Sequence, residues 1–142
     1  SDYSVRFCPV GPNPEGIASA GGNLYVANSG GMSYPSYNNT ISVVSIATLA
    51  ETSTIEVNVN PTKVEASSDG AYVYVSSFGN YSDIPAKLQV ISTETSAVTD
   101  LAYTSVSAIA KGQNDVLYIL CGCECVHLVL DCEIYYIVNS HG

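Results

Sequence analysis

Asn60-Pro61-Thr62-Lys63-Val64-Glu65-Ala66, then Asp69-Gly70-Ala71-Tyr72-Val73-Tyr74-Val75-Ser76, decides how this chain folds. The same order of landmarks stands earlier, as Asn13-Pro14-Glu15-Gly16-Ile17-Ala18 and then Gly21-Gly22-Asn23-Leu24-Tyr25-Val26-Ala27-Asn28. Pro14 to Pro61 is a step of 47 residues, and so is Ile41-Ser42-Val43 to Leu88-Gln89-Val90. Two separate landmarks at one spacing mark an internal repeat, which has to be settled before local structure is read. A third, fainter copy runs through Val106-Ser107-Ala108-Ile109-Ala110 and Val116-Leu117-Tyr118-Ile119-Leu120, without the Asn-Pro pair.

Each copy is written in short strands and tight turns. Gly relieves the penalty of positive φ and Asp or Asn bonds its own backbone, so Ser68-Asp69-Gly70 and Ala20-Gly21-Gly22-Asn23 read as turns. Leu24-Tyr25-Val26 and Tyr72-Val73-Tyr74-Val75 are the β-branched and aromatic runs that strands favour. Ile55, Val57 and Val59 alternate with Glu56, Asn58 and Asn60, the pattern of a half-buried outer strand. No window carries a helical period. The spacing predicts strands near 15–19, 23–28, 40–46 and 53–59 in copy one. Copy two places them near 62–66, 71–77, 87–92 and 96–102, and copy three near 106–110, 115–121, 125–130 and 133–138. Four antiparallel strands in each 40–50 residues make the blade of a β-propeller, whose sheets pack face to face around a channel. The expected fold is therefore all-β: one partial propeller domain over 1–142, with blades near 13–59, 60–104 and 105–138. Residues 4–10 are expected as an outer strand for a preceding or partner blade.

Composition narrows the function classes. The chain has 142 residues, 46% hydrophobic and 12% charged, enough for one core domain and unlike a disordered segment. Thirteen acidic against four basic residues give a net charge of -9, which repels nucleic-acid phosphates and anionic membrane surfaces. No apolar run is long enough to span a bilayer, and Ser1-Asp2-Tyr3-Ser4 carries no signal-peptide pattern.

The residues now match a known family. Tyr25-Val26-Ala27-Asn28, Asn39-Thr40-Ile41-Ser42-Val43-Val44, Asn60-Pro61-Thr62 and Ser68-Asp69-Gly70-Ala71-Tyr72-Val73-Tyr74-Val75 resemble the YVTN-type β-propeller repeat. The longer loops, Gly30-Gly31-Met32-Ser33-Tyr34-Pro35-Ser36-Tyr37 and Gly79-Asn80-Tyr81-Ser82-Asp83-Ile84-Pro85, resemble those of secreted propeller proteins of gut Bacteroides. The resemblance covers roughly residues 4–120 and implies an extracytoplasmic protein with a closed ring of six to eight blades. This chain departs from it in holding about three blades. It departs again after Leu120, where Cys121-Gly122-Cys123-Glu124-Cys125-Val126-His127 breaks the repeat, as an atypical last blade or a truncated or frameshifted relative would. Blade faces exist to pack on neighbours, so self-association is expected, with two chains closing a six-bladed ring.

Chemistry is sparse. Cys121, Cys123 and Cys125 at alternate positions share one strand face, and with Cys132 or His127 they are a candidate zinc set. That spacing is not the usual Cys-x2-Cys knuckle, and inert buried thiols or a disulfide compete with it; inert thiols are the favoured reading, so no metal and no cofactor is assigned. Cys8 makes the cysteine count odd. His127 and His141, both in the tail, leave a Ser-His-Asp arrangement little to draw on, and the scattered carboxylates suggest no glycosidase pair. No catalytic residue is assigned. The better site is a loop face: the turns entering each blade and the loops between second and third strands emerge together. Asn13, Glu15, Asn60 and Lys63 come from the turns, and Tyr34, Tyr37, Tyr81 and Asp83 from the loops. Tyrosines offer flat apolar area and a hydroxyl, which suits sugars and peptides. The competing reading has them covering blade edges. The expected function is a non-enzymatic binding or scaffold module for a glycan or a protein. The alternatives are a lactonase-like or other hydrolase, and a fragment without function of its own.

Overall fold

A computed structural model describes residues 3–104, 106–113, 116–121, 124–129 and 133–137. Among them are three four-stranded antiparallel sheets, each ordered as the chain runs. The first comprises β1 (Pro14–Ala20), β2 (Asn23–Asn28), β3 (Thr40–Ser45) and β4 (Ala50–Glu56). The second comprises β5 (Pro61–Ala66), β6 (Tyr72–Ser77), β7 (Lys87–Ser92) and β8 (Val98–Thr104). The third comprises β9 (Val106–Lys111), β10 (Val116–Cys121), β11 (Glu124–Val129) and β12 (Glu133–Ile137). These are propeller blades.

Alternation along each strand sends side chains to both blade faces, and in blade two both faces are packed. Between blades one and two lie Tyr25, Ala27, Ile41, Val43 and Ile55 from one side and Val64, Ala66, Val73, Val75 and Ile91 from the other. The opposite face of blade two sends Tyr74 and Leu88 against Val106, Ile109, Leu117 and Ile119 of blade three. Ile41, Val73, Val75, Leu88, Ile91 and Ile119 are fully buried. Each such side chain contributes about 1.5–3 kcal/mol of transfer free energy.

The inner strands β1 and β5 meet closely because Gly16 has no side chain. A Cβ there would collide with the backbone carbonyl of Thr62. The crossing from blade one to blade two is pinned by Gln89, whose Oε1 accepts the Asn58 N–H at 2.7 Å. Its Nε2 donates to Asp100 Oδ1 at 2.7 Å, and Lys87 pairs with Asp100 Oδ2 at 2.8 Å. These contacts hold the Asp100 carboxyl below the usual carboxylate range, the Lys87 hydrogen bond being the largest cause and the Gln89 bond the next.

One expectation needs correction. The outer strand of blade one ends at Glu56, not near residue 59. The alternating pattern runs on into the crossing, where Val57 and Asn60 are buried because the chain dives toward the inner edge. Residues 3–10, expected to edge a preceding or partner blade, pair with no strand of this chain. The segment is tied to blade one at Arg6, which donates to the Thr48 carbonyl at 3.3 Å, and just beyond it at Pro12, whose carbonyl accepts Gly30 N–H at 3.1 Å.

The 47-residue step also hides a compensation. Ala18 pairs with Tyr25, Glu65 with Tyr74 and Ala110 with Tyr118, so these three tyrosines are equivalent. Tyr25 and Tyr74 stand 49 apart because the β5–β6 turn is longer than the β1–β2 turn. The shorter β6–β7 loop then restores 47 by Leu88.

Candidate functional site

The end of the sheets where β1 and β5 begin carries the loops entering each blade and the loops between its middle strands. One device shapes both blades there. Asn13 and Asn60 adopt positive φ of 48° and 63°, a conformation Asn tolerates better than most residues. The carbonyl of Asn13 accepts Ser29 N–H at 3.1 Å, and that of Asn60 accepts Phe78 N–H at 3.0 Å. The next residues, Gly30 and Gly79, turn the chain away with φ of 61° and 73°. A Cβ on Gly30 would come within 2.5 Å of the Asn38 amide nitrogen. The Asn-Pro pair and the loop glycine thus aim two long loops at one another.

Between them lies a cavity of about 500 Å³. Asn13, Glu15, Tyr37, Asn60 and Tyr81, all expected at the site, line it. Tyr34 packs edge-on against Tyr37 with ring centroids 6.0 Å apart. Tyr37 meets Tyr81 edge-on at 6.1 Å, and Tyr81 stacks on Phe78 at 6.2 Å. Four rings from two blades form one ladder, at separations where aromatic pairs attract. Tyr34 and Tyr81 are exposed, and Tyr37 is half-buried. Desolvation raises the Tyr37 hydroxyl above the ordinary tyrosine value, with smaller contributions from Tyr81 and Tyr34.

The polar groups are held from behind. Ser29 Oγ lies 2.7 Å from Glu15 Oε1 and 3.0 Å from the Asn13 carbonyl. With one hydroxyl proton, it donates to the carboxylate, the charge-assisted and stronger bond. Gly31 N–H donates to Ser29 Oγ at 3.0 Å, and Met32 N–H to Asn13 Oδ1 at 3.3 Å. Asn60 is 4% exposed and lines the cavity.

Three expected site residues stand outside the lining: Tyr34, which joins only through its contact with Tyr37, and Lys63 and Asp83. Lys63 is exposed on β5 and outside the lining. Asp83 Oδ1 accepts from Asn80 Nδ2 at 2.7 Å, so it braces its own loop, and that bond holds its carboxyl below the usual range. Met32, Phe78 and Ser29 were not foreseen. Aligning Ser29-Gly30 with Phe78-Gly79 in the sequence would have found two of them. Of the cysteines, Cys121 and Cys125 lie on the neighbouring strands β10 and β11, while Cys123 and Cys132 fall outside the described residues. His127 lies on β11, and His141 also falls outside. Among the described residues no three His, Cys, Asp or Glu side chains gather as a metal set, and no helix is long and apolar enough to cross a membrane.

No family model and no curated protein matches the chain. Several solved structures do. Kuenenia stuttgartiensis hydrazine synthase aligns over 96% of this chain and 38% of its own, with 19% identity and a TM-score of 0.65. The dihydro-heme d1 dehydrogenase NirN aligns over 92% and 28%, with 14% identity and a TM-score of 0.66. The extracellular domain of a putative one-component system from B. thetaiotaomicron aligns over 87% and 18%, with 14% identity and a TM-score of 0.65. The chain thus spans less than two-fifths of each of these proteins. At such identities the likeness speaks for fold alone: the chain is built of β-propeller blades.

Proposed function

We propose that this is a non-enzymatic, extracytoplasmic binding module of the YVTN-repeat type, which takes a glycan in the cavity between the loops of blades one and two. The observation that carries this reading is a ladder of tyrosine rings from two blades beside a cavity lined by the polar side chains of Asn13, Glu15 and Asn60. Sugars present apolar ring faces edged with hydroxyls, the complement of aromatic planes beside an amide. The exposed location draws support from the Bacteroides-like loops and from an extracellular domain among the structural neighbours.

The test is a binding screen of neutral oligosaccharides against the chain and its Tyr37→Ala variant. Binding in the millimolar to micromolar range that drops at least tenfold in the variant is expected. Binding unaffected by Tyr37→Ala sinks the reading.

A second proposal concerns assembly. Ile17 on blade one is 61% exposed, whereas its equivalent on blade two, Val64, is 6% exposed against the preceding blade. We propose that a second copy covers this face, closing a six-bladed ring in which residues 4–10 move to edge the partner's last blade. Light scattering at micromolar concentration should read two chains; the mass of one ends the idea.

A further inference from the structure

The cavity carries one ionised side chain among the residues that line it, Glu15. Its Oε1 accepts a hydrogen bond from the Ser29 hydroxyl at 2.7 Å, which fixes the carboxylate in place. No Lys or Arg pairs with it among the described residues, where the one ion pair is Lys87 with Asp100. Gly31 presses close, since a Cβ there would stand 3.2 Å from Glu15 Oε1. The carboxylate is thus a positioned negative charge with no counter-ion from the protein. Tyr37, Tyr81 and Phe78 line the same cavity, and aromatic faces attract cations within about 6 Å of the ring centre. Both features favour a cation over a neutral group, and both disfavour an anion.

From this we infer that the site selects saccharides bearing a protonated amine, of the glucosamine type, over their N-acetylated and uronic-acid counterparts, with Glu15 as the counter-ion of the ammonium. This rests on the glycan reading above and adds the chemical class of the sugar. The general charge of -9 attracts any cation weakly, from all sides. A preference that belongs to the site must depend on Glu15 in particular.

The experiment compares a β-linked glucosamine tetramer with its N-acetylated counterpart by calorimetric titration, using the full chain at 0.15 M salt. An exposed ion pair together with a cation–π contact predicts a five- to tenfold preference, on the order of 1 kcal/mol, for the amine. In Glu15→Gln, where the amide oxygen still accepts from Ser29, the ratio of affinities should fall to about one. Equal binding by the native chain, or a preference that survives Glu15→Gln, overturns the inference while leaving the glycan reading intact. If neither tetramer nor any neutral oligosaccharide binds, both fall. Unchanged melting temperature in the variant separates a lost charge from a lost fold.

Discussion

Among the described residues blade two is covered on both faces and blade three on one, and the same residue type reports the difference. Tyr25 and Tyr74 occupy equivalent places on blades one and two, facing the next blade, and are 3% and 6% exposed. Tyr118 holds that place on blade three and is 43% exposed, with Leu120 beside it at 46%. Sequence and strand pairing are alike in the three cases. What differs is whether a further sheet lies against the ring. A residue's energetic weight here is set by its neighbour blade, not by its own blade.

That comparison is sharpest under mutation. Tyr74→Ala should cost about 3–5 kcal/mol, as buried aromatics do, whereas Tyr118→Ala in the isolated chain should cost about 1 kcal/mol or less. Urea unfolding of both variants decides it, and equal losses would mean the Tyr118 face is covered in solution.

Glycines probe the same contrast with smaller effects. Gly16→Ala drives a methyl into the Thr62 backbone carbonyl between two packed inner strands, for a loss of about 2–3 kcal/mol. Gly112→Ala meets the Tyr118 ring at 2.5 Å, but a ring on a half-open face moves aside, so the loss should stay near 1 kcal/mol. Thermal melts with equal shifts for the two would contradict this account.

The blade crossing comes next. Gln89→Leu strands the Asn58 N–H and one oxygen of Asp100, at a cost of about 1–3 kcal/mol by chemical denaturation. A neutral result would mean that water replaces both bonds.

The smallest expected effect is acid sensitivity. Asp69, Asp83 and Asp100 are all held below the ordinary carboxylate value of 3.8, by hydrogen bonds from Ser67, Asn80 and Lys87 respectively. A depressed folded-state pKa gives stability that is present above the unfolded value and lost as pH falls through the folded one. Stability should therefore decline below pH 3.8, and Asp100→Asn should blunt the decline. At the alkaline end Tyr37 has the opposite sign. Its raised pKa stabilises the fold below pH 10.0, and that contribution is lost as pH rises further, so ultraviolet titration should find it among the late tyrosines.

How the site arises shows what could be read in advance. Asn13, Glu15, Asn60, Tyr37 and Tyr81 were legible because repeat position alone puts blade-entry turns and middle loops at one end of a sheet. Lys63 and Asp83 stand outside the cavity lining for a local reason. Lys63 follows the bulge that separates Pro61 from the rest of β5, and Asp83 is captured by Asn80 within its own loop. Phe78 and Met32 were missed because nothing in an isolated Ser-Phe-Gly or Gly-Met-Ser stretch says which way the chain turns after the glycine.

The repeat, the four-strand blade and the end that carries the loops are determined by the sequence itself, through alternation, turn chemistry and the 47-residue step. Those are local rules acting over a few residues, and they need no partner. The tertiary structure alone decided that Tyr37 of one loop meets Tyr81 of another, that Asn60 is buried beside them, and that Tyr118 stays half-exposed while Tyr25 and Tyr74 do not. Each of these is a contact between segments dozens of residues apart, set by how blade faces close on one another. Local periodicity specifies a face, and packing alone specifies what the face meets.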